Sequence, residues 1–492
     1  MTTADVSANY GKQLLRGSAW MIGARWAMRS VGLVSTMILA RLLAPEDFGL
    51  IAMVMLAYAL LETVSYAGVD LALMRVGADS RAHYDTAWTV QILQGVFLAT
   101  ALVLSGPWVA SYFAEPRVGP VIWFVALRAL LEGTQNIGIV AFRKELDFAK
   151  EFRFTLYNKL LNFLFVVGAA LWFRNYWALV FGSLTACIIG VIMSYVMHPY
   201  RPRLSLAKAG EIWSFSQWLM LSRIGSFLNR KCDEVLVGGY AGTTAMGNYH
   251  IASDLATLPS NELVMPVRRA MFPTLAKMAD KPAEFGRAVL DSFSAIAAIC
   301  LFVSFCLMSV APEFVRVVLG VKWMGAVPLI QWLSVFGGFS ALVLVLEVPL
   351  WVSGKTNLSA VQTWLELAIM APLTWFTVRH YGVEGVATAR AGLSMFMVPV
   401  MMMLTARTGS VTFAKLLGAL ARPLIAALVM ALVVHALPLA DLMPVFLLLA
   451  LKVALCVLLY PAVLYGLWAI AGRPAGVETE AIARIKPLFV RG

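Results

Sequence analysis

Charge is the scarcest property of this chain. Only 13% of its 492 residues are Asp, Glu, Lys or Arg. A soluble domain of that size covers itself with about twice that share, so a water-facing surface of ordinary extent is excluded. Histidine occurs five times and cysteine five times. The cysteines (Cys187, Cys232, Cys300, Cys306, Cys456) form no CxxC and lie in or beside apolar runs. They read as packing residues, and neither a metal site nor a disulfide framework is expected. Catalytic motifs are missing as well: there is no GxGxxG, HExxH or GxSxG. Ser353-Gly354-Lys355-Thr356 imitates the end of a phosphate-binding loop, but Pro349 stands where the first glycine belongs, and no strand precedes it. No polar stretch between apolar runs is long enough for an extramembrane catalytic domain. An enzyme is therefore not expected.

What the chain has is apolar length. Hydrophobic residues make up 61% of it, and the mean hydropathy is +0.80. The expected fold is all-α and polytopic, with about 14 membrane-spanning helices of roughly 20 residues or more. The spans read as 18–41, 47–69, 85–110, 118–141, 152–173, 175–197, 212–238, 245–267, 288–310, 326–348, 357–378, 384–405, 416–437 and 443–470. The polar first 16 residues are followed by a run with two arginines and no cleavage site, so that run is read as a retained span and not a signal peptide.

The net charge of +12 comes from Lys and Arg in short loops. That pattern points to the positive-inside rule and to anionic membrane lipid, not to nucleic acid. Phe142–Arg153, His198–Glu211 and Lys277–Arg287 dominate the basic set of loops, while the alternate turns, such as Ala44–Asp47 and Gly238–Thr244, are free of Lys and Arg. Both termini are therefore expected to be cytoplasmic.

An offset of 198 residues superposes Ser18 on Ser216, Trp20 on Trp218, Arg25 on Arg223 and Gly49 on Gly247. Six spans separate the copies, so both enter the membrane in the same sense, as parallel repeats do. The expected organisation is an N-terminal lobe of spans one to six (1–200), a C-terminal lobe of spans seven to twelve (201–410), and 411–492 with two trailing spans and a cytoplasmic tail. The basic, proline-rich segment after span six marks the boundary.

Charges inside the spans are the candidate site. Each costs about 3 kcal/mol at mid-membrane and must face protein, water or ligand. Arg25 and Arg29 share one helix face near mid-span, and Arg223 is the repeat mate of Arg25. Paired guanidinium forks suit a phosphate or pyrophosphate. Arg268 and Arg269 end span eight, either as positive-inside anchors or as first contacts for an anionic head group. His250, Asp254 and Glu262 form a stripe along span eight. It reads as a polar seam or as a group of counter-charge and cation-coupling residues. Glu62 is expected to pair with Arg25 or Arg29, the alternative being a titrating role. Arg128 and Glu132 are spaced to satisfy each other, while Glu347, Glu366 and Lys452 stand isolated.

The hairpin W-x-x-x-x-R followed by ARLLAPEDFGLIAM, its second copy GGYAGTTAMGNYHIA and the following MPVRRAMFPTLAKM together resemble the polysaccharide transporter family. This family of Wzx-type oligosaccharide flippases belongs to the multidrug/oligosaccharidyl-lipid/polysaccharide (MOP) superfamily. The resemblance runs over most of the chain. It implies two lobes that alternate between inward-open and outward-open forms in the bacterial inner membrane. The implied cargo is an undecaprenyl-pyrophosphate-linked oligosaccharide, moved to the periplasmic leaflet for exopolysaccharide or lipopolysaccharide synthesis. Implied partners are membrane lipid, a polysaccharide polymerase and export machinery. No cofactor is implied, and any coupling would draw on a proton or sodium gradient. Two readings compete: an ion-coupled multidrug or small-cation antiporter, which would favour acidic cavity groups, and a membrane-embedded polymerase, which would need a large loop or an acid cluster.

Overall fold

The computed structural model describes residues 28–66, 73, 81–144, 147–437 and 443–472. Regular structure among the described residues is entirely helical, as the apolar runs require, since a spanning segment must satisfy its own backbone. Nine of these helices are long and apolar enough to cross a bilayer. The chain divides into two compact units. The first is Met1–Lys231 with Gly242–Gly247, the second Cys232–Ala241 with Asn248–Gly492.

The first unit contains α1 (28–42), α2 (Pro45–Ser65), α3 (Arg81–Tyr112), α4 (Val118–Gly133), α5 (Phe148–Phe173) and α6 (Trp177–Met197). The APED turn explains how α2 starts. Pro45 takes the first helical position, where its fixed φ is favourable and its missing N–H is not needed. Asp47 reaches back to accept the Ala44 N–H at 2.9 Å. Its other oxygen accepts the Tyr176 N–H, also at 2.9 Å, which ties α2 to the start of α6. Leu50, Val54, Leu98, Leu102, Val121, Ile122, Val125 and Val180 form the core of this unit.

The 198-residue offset reappears as a contact within the first unit. A Cβ on Gly49 would lie 1.8 Å from the Thr243 carbonyl oxygen, and one on Gly247 would lie 1.9 Å from that of Pro45. Pro45 and Thr243, like Gly49 and Gly247, are repeat mates, and Thr244 donates to its own mate Glu46 at 3.2 Å. Contacts of i with j′ and of j with i′ define a local two-fold, and the two glycines let the backbones touch.

The basic segment after α6 is strapped to the first unit. Asp85 accepts the Tyr200 hydroxyl at 2.6 Å and the Arg203 N–H at 2.8 Å. Thr89 accepts the Ser205 N–H at 2.9 Å, and the Asn136 amide donates to the Tyr200 carbonyl at 2.8 Å. Burial and the neighbouring Asp85 carboxylate push the Tyr200 phenol above its ordinary range.

α7 (Ala209–Ala256) runs through both units and bends at Gly242, whose φ of 79° lies outside helical space. A π-helical turn, Ser260–Val264, follows and leads into α8 (Met265–Ala276). Next come α9 (Pro282–Phe314), α10 (Val327–Val352), α11 (Thr356–Ala406, bent at Gly382), α12 (Phe413–Ala436) and α13 (Val445–Ile470). The expected spans 357–378 and 384–405 are thus the two arms of α11. α10 is the core helix of the second unit. Gly337 admits the Ala256 carbonyl against it, and Ser260 donates to the Gly337 carbonyl at 3.1 Å. α13 docks on α9 through three contacts one turn apart. Lys452 Nζ meets Glu313 Oε1 at 2.6 Å, the Cys456 and Cys306 thiols hydrogen-bond, and Tyr460 donates to the Ala298 carbonyl at 2.7 Å.

Candidate functional site

Two polar assemblies sit among the apolar helices, one in each unit. In the first unit, α1, α2, α4, α5 and α6 enclose a cavity of about 320 Å³, at the small end of the roughly 300–1,000 Å³ typical of ligand pockets. Its walls are apolar (Leu39, Val54, Val125, Phe163), with Ser35, Thr36, Arg128, Lys159, Asn162 and Ser183 interspersed. α5 supplies Lys159 and Asn162 from adjacent turns of one face. The Lys159 ammonium lies beside α1 at Gly32, 3.7 Å from where a Cβ would stand. The Asn162 Oδ1 is buried with no hydrogen-bond partner among the described residues. Arg128 lies 3.6 Å from Glu132, as the i,i+4 spacing suggested, and its guanidinium rests on the Tyr58 ring at 5.6 Å. Tyr58 in turn donates to Glu132 at 3.3 Å. Fixed cations in a low-dielectric wall attract an anion far more strongly than they would in water, and the Asn162 amide adds a donor and an acceptor suited to hydroxyls.

In the second unit the assembly is a buried charge network. Asp233, fully buried, accepts the Tyr249 hydroxyl at 2.5 Å and pairs with the Arg390 guanidinium. Arg390 lies over the Phe336 ring at 4.4 Å. His250 Nδ1 is 3.5 Å from Glu234, and its Nε2 is 4.0 Å from Asp254.

The residues expected from sequence fall as follows. Arg25 lies outside the described residues, and so does the side chain of Arg223, whose backbone is part of α7. Arg29 is half-buried on α1, one turn before the cavity-lining Gly32. Glu62 is exposed near the end of α2, one turn from Tyr58. Arg268 is engaged with Glu347 at 2.7 Å and stacks on Trp351 at 4.8 Å, whereas Arg269 is exposed. His250 and Asp254 come together with Glu234. Glu262 lies further along, in the π-helical turn Ser260–Val264.

Three residues read as isolated are not. Glu347 holds Arg268, Lys452 holds Glu313, and Glu366 accepts the Gln362 amide at 2.8 Å. Sequence reasoning passed over Lys159, Asn162, Asp233, Glu234 and Arg390. A signal existed for the last three, since each is a charge inside an apolar run and such charges need partners.

Apolar spanning helices, two compact units and membrane-depth polar sites define a polytopic helical protein with a transporter fold. Residues 38–328 match the polysaccharide biosynthesis protein family, and the chain belongs to that family. It is 24% identical over 336 residues to the lipopolysaccharide biosynthesis protein WzxC of Escherichia coli K12, covering 66% of this chain and 67% of that protein. It is 23% identical over 431 residues to the succinoglycan biosynthesis transport protein ExoT of Rhizobium meliloti 1021, covering 86% of each. Its fold is similar to that of the lipid II flippase MurJ in an inward closed conformation. The TM-score is 0.71 at 13% identity, covering 92% of this chain and 99% of the other. An inward-facing MATE family transporter of the MOP superfamily superposes with a TM-score of 0.61 at 13% identity, covering 78% and 95%. At such identities these two likenesses speak for the fold alone. The expected all-helical polytopic fold is therefore borne out.

Proposed function

We propose that the protein is a flippase. In this reading it carries an undecaprenyl-pyrophosphate-linked oligosaccharide repeat unit from the cytoplasmic to the periplasmic leaflet of the bacterial inner membrane, by alternating access. The repeat unit would serve exopolysaccharide or lipopolysaccharide synthesis, with a polymerase and export machinery acting downstream. The observation that carries the reading is the cavity of the first unit, where Lys159 and Arg128 place cationic groups in an apolar, membrane-depth wall. At about 320 Å³ it suits the charged anchor of such a cargo and not the whole oligosaccharide. Arg29 stands one turn from the cavity. With Arg25 and Arg223 it belongs to the same cationic lining in this proposal, and Arg269 remains the candidate first contact. The cations speak against a small-cation antiporter, whose cavity would favour acids. Membership of a biosynthesis family with transport-named relatives supports a carrier over an enzyme.

The test is leaflet-specific labelling of lipid-linked repeat units in a strain lacking the protein, complemented with wild type or Lys159→Ala. Accumulation in the cytoplasmic leaflet without the protein is expected. Lys159→Ala should lower export by about 10-fold or more, the loss of one charge-assisted contact. Repeat units that reach the periplasmic leaflet without the protein would overturn the assignment.

A further inference from the structure

The second unit contains a histidine placed between an exposed and a buried carboxylate. His250 is 29% exposed, Asp254 67% and Glu234 only 4%. Nε2 faces the exposed acid at 4.0 Å and Nδ1 faces the buried one at 3.5 Å. The charged and titratable groups around the imidazole come from three stretches of chain. Asp233 and Glu234 belong to α7 before its bend, Tyr249 and Asp254 to the same helix after it, and Arg390 to α11. Glu366, also on α11, acts electrostatically on Cys232 at the edge of the cluster. Arg390 and Tyr249 both engage Asp233, so the neighbouring carboxylate of Glu234 is the one that meets the imidazole.

An imidazole can accept a proton on one nitrogen while releasing one from the other. With its two nitrogens turned toward acids of opposite exposure, it can carry a proton from the surface inward. We propose that His250 is a proton-binding and transfer site, relaying a proton between Asp254 and the buried Glu234. In the inward step a proton arrives at Nε2 from Asp254, directly or through one water. The imidazolium then gives its Nδ1 proton to a Glu234 oxygen. Imidazole returns to neutral, Glu234 becomes a neutral acid, and the outward step is the reverse, so no other bond is made or broken.

The relay joins the two arms of α7 across the Gly242 bend. An imidazolium facing a carboxylate draws the arms together, and a neutral pair does not. Proton occupancy therefore biases which arrangement of the arms is populated. Its use in driving cargo rests on the flippase reading; the site itself does not.

The full-length protein, purified in detergent, tests the binding step. Its melting temperature is measured between pH 4.5 and 8.5 for wild type, His250→Gln and Glu234→Gln. Wild type should show a step between about pH 5 and 8. His250→Gln should abolish that step, and Glu234→Gln should move it to lower pH, because the imidazolium loses its carboxylate. A step unchanged in both variants would overturn the proposal, and the second variant keeps the test decisive if the first does not fold.

Transfer is read by infrared difference spectroscopy of the same protein over that pH range. A protonated-carboxyl band that Glu234→Gln removes and His250→Gln shifts in pH is expected, and a band unchanged in both variants would overturn the relay. Neither measurement uses a lipid-linked substrate, so failure here is distinguishable from failure of the leaflet assay.

Discussion

Asp233→Asn should be the most damaging conservative change in the second unit. It leaves shape and volume nearly intact and strands the Arg390 guanidinium, only 11% exposed, without its carboxylate. Removing one partner of a buried pair costs about 3–5 kcal/mol. Arg390 lies over the Phe336 ring in wild type and variant alike, so that contact cancels and the expected loss stays at about 3–5 kcal/mol. The reverse change, Arg390→Met, should cost less. A stranded carboxylate can take a proton, and the Tyr249 hydroxyl remains beside it. The loss then approaches the cost of one unsatisfied hydrogen-bonding group, about 1–3 kcal/mol. The double variant removes both charges and should be more stable than Asp233→Asn alone by about 2 kcal/mol. Thermal unfolding of purified protein reads these differences at about 2–4 °C per kcal/mol. An Asp233→Asn protein within about 2 °C of wild type, or a double variant whose loss is the sum of the singles, would refute the reasoning.

Gly49→Ala and Gly247→Ala should each cost well over 1 kcal/mol, because a Cβ would fall 1.8–1.9 Å from a backbone oxygen. Gly119→Ala, with nothing within 4 Å of the new atom, should melt like wild type. Asp85→Asn removes the anionic acceptor of two strap contacts, and trypsin should then cut after Arg203 several-fold faster (Pro202 shields the bond after Arg201); unchanged resistance would refute the strap. Lys452→Met leaves Glu313 buried opposite an apolar chain, where the carboxylate can take a proton, and should destabilise the protein by about 1–3 kcal/mol, measured by the same melting assay. A thiol-bridging reagent should meanwhile link Cys306 to Cys456 in wild type.

Local features were the legible ones. The APED turn declares itself because proline, two acids and a following apolar run are contiguous, and each acts over one helical turn. The repeat was visible because four matches share one offset, and the structure shows why Gly49 and Gly247 are among them: they meet. Long-range pairing was not legible. Asp233 and Arg390 sit in different helices, as do Glu313 and Lys452, 139 residues apart. A lone charge in an apolar run says that a partner exists but not which one. The π turn was not legible either: Pro259 and Pro266 advertise an irregular helix, but not the form the irregularity takes. Lys159 and Asn162 lie well inside the expected span 152–173, but nothing in the sequence says that α1 passes beside them.

The Lys452–Glu313 pair also sets an order of events at the ribosome. Glu313 enters the membrane within α9, and its lysine is 139 residues further along the chain. At about 5–20 residues per second, synthesis leaves that carboxylate waiting roughly 7–28 s in nascent protein. For that interval the half-made second unit holds an acid it cannot yet neutralise with its own chain. It must stay hydrated, take up a proton, or remain beside the insertion machinery. Arrival of α13 therefore completes the pair, and a chain that stops before it keeps an acid without its lysine.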